Sequence, residues 1–238
     1  MRPTALIAGG LAALTILGAS AAVQADESDG LVVVELFTSQ GCSSCPPADA
    51  LLERLAQRDD VLPLALHVDY WDYIGWADSF ARPEHTKRQK AYAHLAGSRT
   101  IYTPQMVIDG VEQIVGARPM EVADAVMRHL EHQQEIDVDV SREGAALRIL
   151  AAPPEQSHGT MLVQLVRYMP KRTVAIERGE NAGKTLEYAN IVTDWRVLGE
   201  WSGMDPLEIS ADAEGDDAAA VIIQQAETGK ILGAANLR

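Results

Sequence analysis

Cysteine is nearly absent. The 238 residues hold two, Cys42 and Cys45, three apart. A single pair rules out the multi-disulfide framework that staples small secreted domains. The loop it would close is also too short to constrain the unfolded chain much. Basic side chains are scarce as well: 20 Lys and Arg stand against 34 Asp and Glu, a formal charge of −14. That balance argues against nucleic acid and anionic membranes as partners. Aromatic residues make up 5%, but several gather in one stretch, Asp69–Trp76. There is no internal repeat and no low-complexity tract. Arg178–Lys184 is polar and glycine-rich, yet it lacks the Gly and Lys spacing of a phosphate loop.

One long apolar run is present. Ala5–Ala22 follows Arg2 and precedes Val23-Gln24-Ala25, with Asp26, Glu27 and Asp29 directly after. This reads as a cleavable export signal over 1–25. The alternative is an uncleaved anchor, weakened by its glycines and alanines. No lipobox cysteine is present. Export implies a periplasmic or secreted protein in an oxidising compartment, with no stable membrane span once the signal is removed. Apolar residues, 47% of the chain, suffice to bury a core in what remains.

Periodicity divides that remainder. Leu31–Thr38 is a near-continuous β-branched run, the pattern of a buried strand. Ala48, Leu51, Leu52 and Leu55 then follow helical spacing, with Pro46 and Pro47 at the start, where a missing N–H costs least. Val61–Val68 is a second strand, its pairing limited near the start by Pro63. A helical segment is expected over Asp78–Leu95, stopped by Gly97. Thr103–Ile108 and Val111–Val115 flank Asp109-Gly110, a strong hairpin signal. Pro119 opens a last helix with Val122, Ala123, Val126 and Leu130 on one face. The order βαβαββα predicts an α/β domain over 26–135: a mixed sheet flanked by helices, with a helical insertion. Beyond it lie short strand candidates separated by turn signals: Ile136–Val140, Leu147–Leu150, Met161–Tyr168, Thr173–Glu177, Glu187–Thr193, Trp195–Trp201 and Val221–Gln225. They predict an all-β sandwich-like domain over 136–238. Ala211–Ala220, rich in Ala, Asp and Glu, is expected to be a mobile loop.

The chemistry centres on Gly41-Cys42-Ser43-Ser44-Cys45-Pro46, which follows a buried strand and opens a helix. Free N–H groups and the macrodipole at a helix start favour an anion, so a thiol there ionises more easily. Cys42, nearer solvent, would attack. Cys45, one turn deeper, would resolve the mixed disulfide. Ser43 and Ser44 add no positive charge, so a mildly reducing or intermediate potential is expected. Two other readings of the pair stay open. It could form part of a zinc or copper site completed by His67, His85, His94 or a carboxylate, or it could be an inert disulfide.

Residues 31–134 resemble the thioredoxin superfamily in the strand, Cys42-Ser43-Ser44-Cys45, and Thr103-Pro104 before the Ile108-Asp109-Gly110 hairpin. More narrowly, the chain resembles a family of secreted bacterial thioredoxin-like proteins catalogued as a domain of unknown function. The matching blocks are Glu35–Asp49, His67–Asp72, Gly75-Trp76, Arg88-Gln89, Tyr102–Gln105 and Arg178–Asn181. The superfamily resemblance implies redox roles for Cys42, Cys45 and Pro104. The chain departs from thioredoxin itself in lacking Trp before the first Cys and Gly-Pro between the two.

Several residues are assigned around this centre. Pro104, expected in cis, would shape the groove for a partner chain, with Thr103 beside it. Glu35, inside an apolar strand, could take a proton from Cys45 if buried, or face solvent. Trp71 and Asp69 could wall the thiol site and contact substrate; otherwise the aromatic stretch is a hydrophobic plug. Arg88 is expected to pair with one of the loop acids. The Arg178–Lys184 turn is either a plain hairpin turn or a flap over Cys42. The sequence therefore predicts an exported thiol–disulfide oxidoreductase that needs no dissociable cofactor and meets thiol- or disulfide-bearing proteins and a redox partner. A soft-metal module and a non-catalytic interaction protein are the alternatives.

Overall fold

The computed structural model describes residues 30–132, 134–215 and 217–237; the expected export signal lies outside them. β1 (Val32–Thr38) is buried at every position, as a near-continuous apolar run demands when both faces of a strand are covered. α1 (Pro46–Leu55) begins on its two prolines and buries Ala48, Leu51, Leu52 and Leu55 along one stripe. β2 (Val61–His67) runs parallel to β1. A single 3-10 turn, Asp72–Ile74, leads to α2 (Pro83–Leu95). β3 (Gln105–Ile108) and β4 (Glu112–Val115) meet through Asp109 and Gly110, whose φ angles are 43° and 75°. Both residues of a type I′ turn need positive φ, which explains the Asp-Gly pair. α3 (Pro119–Leu130) closes this half. α2 starts at Pro83, later than the expected Asp78, because the proline holds Arg82 before it in extended conformation (φ −137°, ψ 133°); the Asp78 carboxylate accepts from the backbone N–H groups of Gln40 and Phe80.

The second half is β5 (Val138–Glu143), β6 (Ala146–Ala151), β7 (Met161–Ala175), β8 (Thr185–Trp201), β9 (Leu207–Asp212), β10 (Ala218–Gln225) and β11 (Ile231–Leu237). It does not form a separate sandwich. Four of its strands extend the first sheet into one mixed sheet of eight, ordered β11-β10-β7-β8-β2-β1-β3-β4. Strands from both sides of the pattern change near Glu135 therefore share the larger sheet. β5, β6 and β9 form a second, three-stranded sheet packed over the outer half of the first. The seam between the halves is narrow: β8 pairs with β2 at Ala65–Ile191. Pro63 has no N–H to offer there, and its carbonyl instead accepts from the Asn190 amide at 2.8 Å.

β7 and β8 are each one long strand where two were expected. Register shifts at Val163/Gln164 and Arg167/Tyr168 absorb the irregularity as bulges rather than breaks. Their joint hairpin runs past the seam as an arm. The segment expected to be a loop over Ala211–Ala220 is strand at both ends: Ala211 and Asp212 end β9, and Ala218–Ala220 are buried in β10.

Side-chain alternation sorts the core onto two faces. Val32, Val34 and Leu36 of β1 pack with α1 and α3. Val33 and Phe37 face the other way, toward Tyr92 of α2. α2 buries mostly polar side chains there: His85, Thr86 and Gln89 beside Tyr92 and Ala93.

Candidate functional site

Cys42 and Cys45 are joined by a disulfide, their Cα atoms 5.4 Å apart. Cys45 is the N-cap of α1 in helical conformation, with Pro46 and Pro47 as its first residues. The prolines change the expected electrostatics. They have no N–H, and those of Ala48 and Asp49 both reach the Cys45 carbonyl at 2.8 and 3.1 Å. Stabilisation of a thiolate here thus rests on the helix macrodipole rather than on free donors of the first turn.

The pair is also more covered than expected. Both cysteines are fully buried, and the exposed tip of the turn is Ser43-Ser44. The cover is the β7–β8 arm. Asn181, at its tip and fully buried, donates from its amide to the carbonyls of Gln40 and Cys42, each at 2.9 Å. Lys184 holds the Asn181 oxygen at 2.8 Å. Gly179 lies so close to the aromatic loop that a Cβ there would sit 3.3 Å from that of Trp76. Trp76 in turn donates to the Gln40 side chain at 2.8 Å. The Arg178–Lys184 turn is thus a flap against Cys42.

Thr103-Pro104 is a cis peptide. Gly116 lies between Pro104 and Ala48 of α1, its would-be Cβ 3.2 Å from each side chain, which places the proline at the N-terminal end of α1. Trp71 packs on Gly41 and donates from its indole to the Thr103 hydroxyl at 2.7 Å. Trp71, Thr103 and Pro104 therefore come together beside the disulfide. Asp69 is turned to α2, where it accepts from the Thr86 hydroxyl at 2.6 Å.

Glu35 is buried, but on the α2 face, opposite α1. Arg88 grips it with Nε and Nη2 at 2.5 and 2.8 Å, and Tyr92 donates to it at 2.5 Å. The Arg88 guanidinium lies 3.8 Å from the centre of the Trp195 ring and also reaches Gln164 and Gln224. Arg88 thus pairs with Glu35, not with Asp69 or Asp72. Alternation along β1 excludes Glu35 from the sulfurs' side of the sheet.

A different acid occupies that side. Asp49 lies one turn after Cys45 and is 5% exposed. One carboxylate oxygen accepts from the Thr38 hydroxyl at 2.7 Å. The other has no hydrogen-bond partner, and neither has His67 Nε2 or the Tyr188 hydroxyl. His67 Nδ1 meets Asp78 at 2.7 Å. Thr38 and His67 are register partners at the ends of β1 and β2. Burial pushes the Asp49 carboxyl up to about 7, against the pull of His67 and the Thr38 bond. Asp78 is held below its ordinary range: burial opposes this, but His67 and the N–H groups of Gln40 and Phe80 outweigh it. Each buried polar atom left unpaired costs about 1–3 kcal/mol, so this cluster is stability forgone. Sequence reading missed Asp49; the signal was a carboxylate four residues after Cys45 on the helix's apolar stripe. His67 drew attention only as a metal ligand. Among the described residues, no group of three or more His, Cys, Asp or Glu side chains gathers as a metal cluster, and no helix is long and apolar enough to cross a membrane.

No curated protein matches the chain. A crystal structure of an Agrobacterium tumefaciens protein is 33% identical, the match covering 87% of this chain and 93% of that one with a TM-score of 0.74. HBP35 of Porphyromonas gingivalis is 14% identical over 87% of this chain and 74% of that one with a TM-score of 0.62, a likeness of fold alone. Residues 33–224 match the family described as "Protein of unknown function (DUF1223)", and the chain belongs to that family.

Proposed function

We propose that the chain is an exported thiol–disulfide oxidoreductase of the thioredoxin superfamily, acting through Cys42 and Cys45. One observation carries this: the only two cysteines are bonded to each other at the start of α1, beside the loop that holds Pro104. The β1-α1-β2 unit and the β3-β4-α3 unit on one mixed sheet support the superfamily reading of 26–135, to which 136–238 adds a β extension. Its site of action is the periplasm or the exterior, on the strength of residues 1–25. Its partners are proteins bearing thiols or disulfides, together with a redox partner that resets it.

In this reading Cys42 forms the mixed disulfide and Cys45 resolves it. Thr103, Pro104 and Trp71 shape the surface against which a partner lies. The exposed Ser43-Ser44 turn is the point of approach, and the Asn181 flap must shift for a partner sulfur to reach Cys42. The test is insulin reduction coupled to a thiol donor. Wild type accelerates it, and Cys42→Ser abolishes the acceleration. Equal rates for the two proteins remove the assignment.

A further inference from the structure

We propose that Asp49 exchanges the proton of the Cys45 thiol, with His67 and Asp78 as positioning residues that set its charge; this rests on the redox reading above. Asp49 is four residues after Cys45 in helical geometry, so the two side chains share one face of α1. Its free carboxylate oxygen is buried and without a partner, available for a proton that comes and goes. The groups around it are Thr38 from β1, His67 from β2, Asp78 from the loop before α2, and Tyr188 from β8. His67 is the one among them that can carry positive charge. It is fixed by Asp78 on one nitrogen and unpaired on the other, and its ring packs 5.0 Å from that of Tyr188. Glu35, the other buried acid of β1, is saturated by Arg88 and Tyr92 on the far face.

A partner thiolate attacks Cys42 Sγ, and a new S–S bond forms. The Cys42–Cys45 bond breaks, Cys45 keeps the electron pair, and protonated Asp49 gives it a proton. In the opposite half-reaction, reduced Cys42 has attacked a substrate disulfide and released one substrate sulfur as a thiolate, and the Asp49 carboxylate then takes the proton from the Cys45 thiol. Cys45 thiolate then attacks Cys42 Sγ, and the partner leaves as a thiolate. An acid with its midpoint near 7 suits transfer in both directions at neutral pH.

The test follows reduction of the disulfide by dithiothreitol in stopped flow from about pH 5 to about pH 9, for wild type, Asp49→Asn, Asp49→Glu and His67→Gln. Rates are taken as ratios to wild type at each pH, which cancels ionisation of the reductant. Asp49→Asn is expected to be about 100-fold slower below neutrality, with the gap closing as pH rises through 7. Asp49→Glu restores the profile, and His67→Gln moves the inflection upward. A flat ratio for Asp49→Asn overturns the proposal. Failure of wild type in insulin reduction instead removes the redox reading. Should Asp49→Asn not fold, the carboxyl is titrated by carbon-13 NMR in oxidised and reduced wild type. A midpoint near neutrality that differs between the two states supports the role. An ordinary carboxylate midpoint in both overturns it.

Discussion

The sheet carries a buried ionic cluster on each face, and the two are built to different standards. On the α2 face, Glu35, Arg88, Tyr92, Gln164, Gln224 and Trp195 form a closed network in which the carboxylate receives three donors. On the α1 face, Asp49, His67 and Tyr188 each retain an unpaired buried atom. A satisfied network rigidifies the packing around it. An under-satisfied one costs stability and persists where a group must change its protonation. The contrast fits the first cluster to holding α2 on the sheet and, under the proposed redox function, the second to proton exchange beside the disulfide.

The comparison can be broken first on its structural side. Arg88→Met leaves the Glu35 carboxylate buried with the Tyr92 hydroxyl alone, and the expected loss is about 3–5 kcal/mol in urea unfolding. A loss no larger than that of a surface substitution would show that the network is not what secures α2.

Asp49→Asn should act in the opposite direction. The Asp49 midpoint, about 7, lies above its ordinary 3.8, so its contribution to stability is present at low pH and is lost as pH rises through 7. Relative to wild type, the variant should gain roughly 3 kcal/mol between pH 4 and pH 8. A pH-independent difference in unfolding free energy would place no ionisable cost at that position.

His85, on the α2 face, has the reverse sign. Burial lowers it from 6.5 to about 4, so the stability it contributes is full above 6.5 and is lost as pH falls toward 4. Between pH 7 and pH 5 wild type should lose about 2 kcal/mol relative to His85→Gln. The two faces therefore have opposing pH slopes in the same acid range, separable by comparing each variant with wild type.

The smallest effect is expected at the flap. Asn181→Ala removes three side-chain hydrogen bonds at a buried position between exposed neighbours, where the shortened side chain admits water, a loss of about 1–2 kcal/mol. Its clearer signature is kinetic: the disulfide should be reduced faster, because the cover over Cys42 opens more readily. Unchanged reduction kinetics would mean that the flap does not limit access.

Much of this was legible without coordinates. The apolar run of β1, the helical spacing after Cys45 and the Asp109-Gly110 turn each follow from local rules, and each element formed where the pattern placed it. What misled was local evidence used for non-local questions. The change of pattern after Gln134 is real, yet pattern does not say which sheet a strand joins, and β8 joined β2. Glu35 was recognised as a carboxylate in an apolar strand, but its face depends on register with α2. The two prolines mark the helix start, and the missing N–H groups matter to the sulfurs because the next two, from Ala48 and Asp49, turn to the Cys45 carbonyl.

The sequence by itself determined where β1, α1 and the Asp109-Gly110 hairpin lie and that the two cysteines are near enough to bond, because periodicity, turn chemistry and a spacing of three act within a few residues. Tertiary structure decided which acid stands behind the sulfurs, that Arg88 belongs to Glu35, and that Asn181 covers Cys42 across 139 positions of sequence. Those outcomes depend on strand register and on the length of the β7–β8 arm, which are settled only when the distant surfaces pack.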